Sequence, residues 1–79
     1  MNNSVAIVSD LDRLGFSFRI TGKRLNSIEV MHDNRIFRCY DRNENRLIWA
    51  IIRSSLRDIG YTETDLQAVR GAILYHGQP

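Results

Sequence analysis

Two histidines and one cysteine are the only imidazole and thiol groups in this sequence of 79 residues. A general base needs a fixed partner within hydrogen-bond reach. A zinc site needs about four His, Cys, Asp or Glu ligands at compatible spacing. His32 lies in a turn beside Asp33, His76 lies three residues from the end, and Cys39 stands alone on an expected strand. That spacing assembles neither arrangement. The histidines read as structural or surface groups, and Cys39 as a small buried apolar side chain. No catalytic residue, metal ligand or cofactor is assigned, and His32 as the base of a ribonuclease is kept only as a minor alternative. Gly22-Lys23 is too little for a phosphate-cradling loop. The carboxylate pairs Asp10/Asp12 and Glu63/Asp65 stand at i, i+2, so they point apart on a helix. They are expected in or near first turns, where they suit the helix dipole.

The cations are more informative. From Arg13 to Arg57 there are ten basic residues against four acidic ones (Glu29, Asp33, Asp41, Glu44), net +6, whereas the ends carry net −4. All the cations but Lys23 are arginine, whose planar fork pairs bidentately with phosphate or carboxylate and stacks on rings. Arg19, Lys23, Arg24, Arg35, Arg38, Arg42 and Arg46 are candidates for phosphate contacts. Tyr40 is a candidate stacking platform, with Tyr61 and Trp49 nearby. Arginines interleaved with aromatics serve RNA binders and also anchor protein interfaces. The bland alternative is a solvated surface with a compositional bias toward arginine.

These residues must be positioned by local elements. Ile7, Leu11 and Leu14 at i, i+4, i+7 predict a first helix from a cap at Ser4 to about Leu14, stopped by Gly15. Phe16 to Ile20 alternates, sending Phe16, Phe18 and Ile20 inward and Ser17 and Arg19 outward. After a turn at Thr21-Gly22-Lys23, Ser27 to Met31 alternates again, with Ile28 and Val30 on one side. A second turn at His32-Asp33-Asn34 leads to a third strand, Arg35 to Tyr40. Asp41 and Glu44 fit a capping box opening a helix from about Asn43 to Asp58, ended by Gly60. Ile48, Ile52, Leu56 and Ile59 form its apolar row, and Trp49 lies on another azimuth beside Arg53. Thr62 or Thr64 caps a last helix carrying Leu66, Val69 and Ile73, and Gly77-Gln78-Pro79 ends the chain. The expected fold class is α+β in the order α-β-β-β-α-α, a three-stranded antiparallel meander with helices packed on one face. The last helix has an apolar stripe that serves equally for its own domain or for a second copy, so a homodimer stays open.

Composition is that of a globular chain: 43% hydrophobic and 25% charged, against disorder. Residues 1–79 read as a single domain. The longest apolar run, Leu47 to Ile52, is far shorter than the ~20 residues a membrane span needs, so no membrane partner is expected. A lone cysteine and an N-terminus without a basic and then apolar pattern read as cytoplasmic.

The blocks Leu11-Asp12-Arg13-Leu14-Gly15-Phe16, Gly22 after the first strand, and Ile52 to Tyr61 resemble the HicA family of toxins from toxin–antitoxin pairs. That family's fold is similar to a double-stranded-RNA-binding domain, and the resemblance covers about residues 5 to 65. It implies that fold and an RNA-facing surface. The family's ribonuclease activity rests on a histidine in a Gly-Ser-His turn, which here reads Gly22-Lys23-Arg24, so cleavage is not implied. Leu11 to Val30 also looks like the start of the TubC-type N-terminal docking domain of multimodular synthetases. That family continues into a Pro-Gly-Leu-Thr segment and helices, where this chain has Arg35 to Tyr40.

The reading that results is a small non-catalytic binding module contacting RNA or a ribonucleoprotein through arginines. The alternatives are a phage- or plasmid-encoded protein-binding inhibitor or adaptor, for example anti-CRISPR-like, with an acidic protein surface as the alternative partner, and a docking domain.

Overall fold

Gly15 adopts φ +91°, a left-handed conformation that glycine takes without steric cost, and it turns the chain from helix to sheet. In the computed structural model, which describes residues 4–76, the helix before it (α1) spans Ser4–Arg13. Ser4, the expected cap, is the first described residue, and residues 1–3 and the Gly77-Gln78-Pro79 end lie outside the described residues.

Three strands follow: β1 (Phe16–Ile20), β2 (Ile28–His32) and β3 (Arg35–Arg38), antiparallel in the order β1-β2-β3. Phe18 faces Val30 and Val30 faces Phe37, so the alternating apolar side chains share one face of the sheet. The β2–β3 turn is two residues long. Asp33 and Asn34 both take positive φ (54° and 62°), the geometry whose twist matches a hairpin. The β1–β2 connection is longer and contains a 3₁₀ turn at Leu25–Ser27, which hydrophobic periodicity does not announce. β3 stops at Arg38 instead of running to Tyr40, because the Asp41 N–H donates to the Arg38 carbonyl at 3.0 Å and folds the chain toward the next helix.

That helix, α2, spans Arg42–Asp58. The Asp41 carboxylate caps it by accepting from the N–H groups of Asn43 and Glu44, each at 3.0 Å. Only half of the expected capping box forms: the Glu44 carboxylate accepts from the Arg38 N–H at 3.1 Å, tying β3 to α2. At the far end Gly60 is at φ +103°, and N–H groups of Gly60 and Tyr61 reach back to the carbonyls of Arg57 and Leu56. This termination takes Ile59 out of the helix and leaves it 48% exposed, so Ile59 does not continue the apolar row.

The single last helix expected from sequence is two: α3 (Glu63–Gln67) and α4 (Val69–His76), separated at Ala68. Thr62 and Asp65 form a reciprocal capping box at the start of α3. Leu66, Val69 and Ile73 are buried within the chain, and α4 lies against α1, so this stripe is not left over for a second copy.

One hydrophobic cluster joins Ile7 and Leu11 of α1, Phe16, Ile28, Val30 and Phe37 of the sheet, Ile48, Trp49, Ile52 and Leu56 of α2, and Val69, Ala72 and Ile73 of α4. The helices therefore cover one face of an α+β sheet. On the other face lie Ser17, Arg19, Glu29, Met31, Ile36 and Arg38, none of them buried. Among the described residues no helix is long and apolar enough to cross a membrane.

Candidate cationic surface

The helical repeat of α2 decides where its arginines point. At about 100° per residue, Arg42, Arg46, Arg53 and Arg57 fall within an arc of about 60°, turned about 110° from the buried row Ile48, Ile52, Leu56. All four are exposed. From the first to the last, at a rise of about 1.5 Å per residue, the row is about 22 Å long. Arg57 pairs with Glu63 at 2.9 Å, with both side chains more than half exposed, so the pair adds little to stability and yields readily to another anion. Among the described residues no carboxylate lies within ion-pair distance of Arg42, Arg46 or Arg53.

Trp49 lies along the inner side of this row. It is buried, its indole Nε1 donates to Asn45 Oδ1 at 2.6 Å, and the Arg70 guanidinium sits 4.8 Å from its ring centroid. It is thus a core residue and not an exposed stacking surface, and it brings Arg70 of α4 beside the α2 arginines. Tyr61 is also engaged: its hydroxyl donates to Asp10 Oδ2 at 2.5 Å, and Asp10 also holds Arg13. Asp10 and Asp12 lie in the last turn of α1, not near a first turn. There the dipole disfavours them, and Asp10 finds hydrogen-bond donors instead. Tyr40 is 65% exposed at the β3–α2 junction, two residues before Arg42.

The eight residues singled out from sequence occupy several surfaces. Arg42 and Arg46 stand on the α2 row with Tyr40 at its start. Lys23 and Arg24 lie in the β1–β2 connection, where Lys23 lines a groove shared with α4. Arg19 and Arg38 are on the uncovered sheet face, on either side of Glu29 in the strand register. Arg35 stands at the hairpin end with its guanidinium 4.5 Å from the Phe37 ring centroid. The uncovered sheet face is therefore mixed, with Met31 opposite Ile36 at its centre, and the densest run of cations is on the helical side. Arg53, Arg57 and Arg70 complete that run and were missed as site residues. The spacing 42, 46, 53, 57 would have shown the first two as row members, whereas Arg70 joins only through the tertiary fold.

His32 stacks on Phe16 (3.9 Å between ring centroids, planes 10° apart), and its Nδ1 lies 3.3 Å from the Gly15 carbonyl oxygen. Cys39 is buried, and desolvation pushes its thiol up from 9.0 to about 11, with Arg70 lowering and Glu44 raising it. A thiol so placed is a poor nucleophile. Among the described residues no cluster of His, Cys, Asp and Glu could hold a metal ion. No family model, curated protein or solved structure matches this chain.

Proposed function

We propose that the chain is a non-catalytic module that binds RNA, alone or within a ribonucleoprotein, through the arginine row of α2. The observation that carries this reading is the alignment of Arg42, Arg46, Arg53 and Arg57 on one exposed side of a helix, three of them with no carboxylate partner among the described residues. Like charges held this close repel one another, and a polyanion relieves that repulsion. Guanidinium groups suit the task because each presents paired donors to phosphate oxygens and stays charged at any working pH. The resemblance to the HicA family, with Gly22-Lys23-Arg24 in place of its histidine turn, points the same way: an RNA-facing surface without the cleaving group.

The test is fluorescence anisotropy with a short blunt RNA duplex over a range of salt. Four neutralised phosphates give a log–log slope of about −3.6, from about −0.9 per phosphate. Changing Arg46 and Arg53 together to alanine brings the slope to about −1.8 and weakens binding to every duplex sequence alike. Binding indifferent to salt, or unchanged in the double variant, sinks the proposal.

A second reading rests on the uncovered sheet face, where Ser17, Met31 and Ile36 line an open groove of about 460 Å³ near the hairpin. A partly exposed Met31 beside an exposed Ile36, with Arg19 and Arg38 in the next row on either side of Glu29, suits an acidic protein partner, as an inhibitor or adaptor of phage or plasmid origin would require. Capture of one stoichiometric protein partner, insensitive to nuclease and abolished by Ile36→Asp, would favour it.

A further inference from the structure

Gly71 has no explanation within the fold. It lies inside α4, where glycine is the poorest helix former after proline. A Cβ added there would meet nothing within 4 Å, whereas one at Gly22 would strike the Ser27 hydroxyl at 2.7 Å. Packing requires Gly22 to be bare; it makes no such demand at Gly71. Both glycines line one groove of about 290 Å³, together with Lys23, Leu74 and Tyr75. That volume is below the usual range for a whole drug-sized ligand and suits one planar ring.

The walls have matching chemistry. Tyr75 is 81% exposed, an unusual exposure for an aromatic side chain, and the His76 ring meets it edge-on at 4.6 Å between centroids. One face of the phenol ring is thus free to receive a flat partner. Leu74 gives an apolar side, and Lys23 has no carboxylate within ion-pair distance among the described residues. At about 100° per residue, partly buried Arg70 and Leu74 and exposed Gly71 and Tyr75 share one arc of α4, and Arg70 at its edge reaches over Trp49 to the α2 row. Arg70 thus links the side of α4 that carries the groove to the α2 row.

We propose that this groove receives one unpaired nucleobase of the RNA held by α2. The base stacks on Tyr75 and passes close over the backbone at Gly71, and its phosphate meets Lys23. The proposal rests on the RNA reading above and adds a preference for a single-stranded extension beside a duplex.

The experiment compares a blunt RNA duplex with the same duplex carrying a three-nucleotide 3′ or 5′ overhang, by anisotropy at fixed salt. The wild-type chain binds one overhang form tighter by about tenfold, within the range stacked bases contribute. Tyr75→Ala and Gly71→Leu each abolish this preference and leave blunt-duplex affinity unchanged, and Tyr75→Phe keeps it. Circular dichroism confirms that the variants are folded. Equal wild-type affinity for blunt and overhang RNA, or a preference that survives Tyr75→Ala and Gly71→Leu, overturns the groove assignment while leaving the α2 row standing. Absence of salt-dependent binding to any of the RNAs overturns both, and an aromatic side chain of a protein partner then becomes the occupant to seek.

Discussion

Replacing Gly71 by alanine turns the open position in α4 into a measurement. The added methyl group meets no atom within 4 Å, so no clash opposes it. The gain is then the difference in helix propensity, about 0.8–1 kcal/mol at a helix interior. Because α4 is only eight residues long, fraying reduces this to about 0.5–1 kcal/mol. In a domain of this size about 1 kcal/mol moves the melting temperature by about 4–8 °C, so a rise of about 2–8 °C is expected. In urea, with a slope near 1 kcal/mol/M, the midpoint rises by about 0.5–1 M and the slope itself is unchanged. Parallel thermal and urea unfolding followed by far-ultraviolet circular dichroism measures both. A lower melting temperature would refute the claim that the space above Gly71 is open. The same methyl group narrows the groove floor, so Gly71→Ala is also expected to weaken the overhang preference: stability gained, recognition lost.

Tyr61→Phe removes the hydroxyl that donates to Asp10 and joins the chain after α2 to α1; a loss of about 1–2 kcal/mol in urea unfolding is expected, and no loss would show that hydrogen bond to be idle. Asn34→Gly relieves a left-handed residue in the hairpin turn and raises stability by up to about 1 kcal/mol, whereas Asn34→Val, β-branched at φ 62°, lowers it by more. The Cys39 thiol is held above its ordinary value of 9.0, at about 11, by burial. Folding thus favours the neutral thiol. Its stabilisation is complete below pH 9 and is lost as pH rises toward 11. The stability difference between the wild-type chain and Cys39→Ala therefore shrinks across that window, and a difference constant with pH would contradict the burial argument.

Much of this fold is legible where a pattern is local. Phe16, Phe18 and Ile20, then Ile28 and Val30, alternate as half-buried strands must, and Ile48, Ile52 and Leu56 repeat as one side of a helix must. What escapes depends on partners distant in sequence. Trp49 looks like a surface ring beside Arg53, but Asn45 satisfies its N–H and Arg70, brought in by α4, covers its face. The break at Ala68 carries no glycine or proline to announce it. The cationic surface shows the same division. Arg35 and Arg38 are an odd number of residues apart on one strand, so their separation onto different faces follows from spacing alone. The Arg42, Arg46, Arg53, Arg57 row could also be counted out along the helix. The pairing of Gly22 with Gly71 across a groove could not, because it requires knowing that α4 packs beside the β1–β2 connection.

The bond from Glu44 to β3 reaches beyond the helix start. Cys39 donates to the Ile28 carbonyl, so in an antiparallel ladder Arg38, one residue earlier, turns its own N–H and C=O away from β2. Both of those groups are already occupied, the N–H by the Glu44 carboxylate and the C=O by the Asp41 N–H. On that side of β3 only Ile36 keeps outward-facing main-chain groups. A neighbouring molecule seeking to extend the sheet there would first have to peel the beginning of α2 away, so the helix start acts as a latch against fibre growth from a strand that would otherwise invite it.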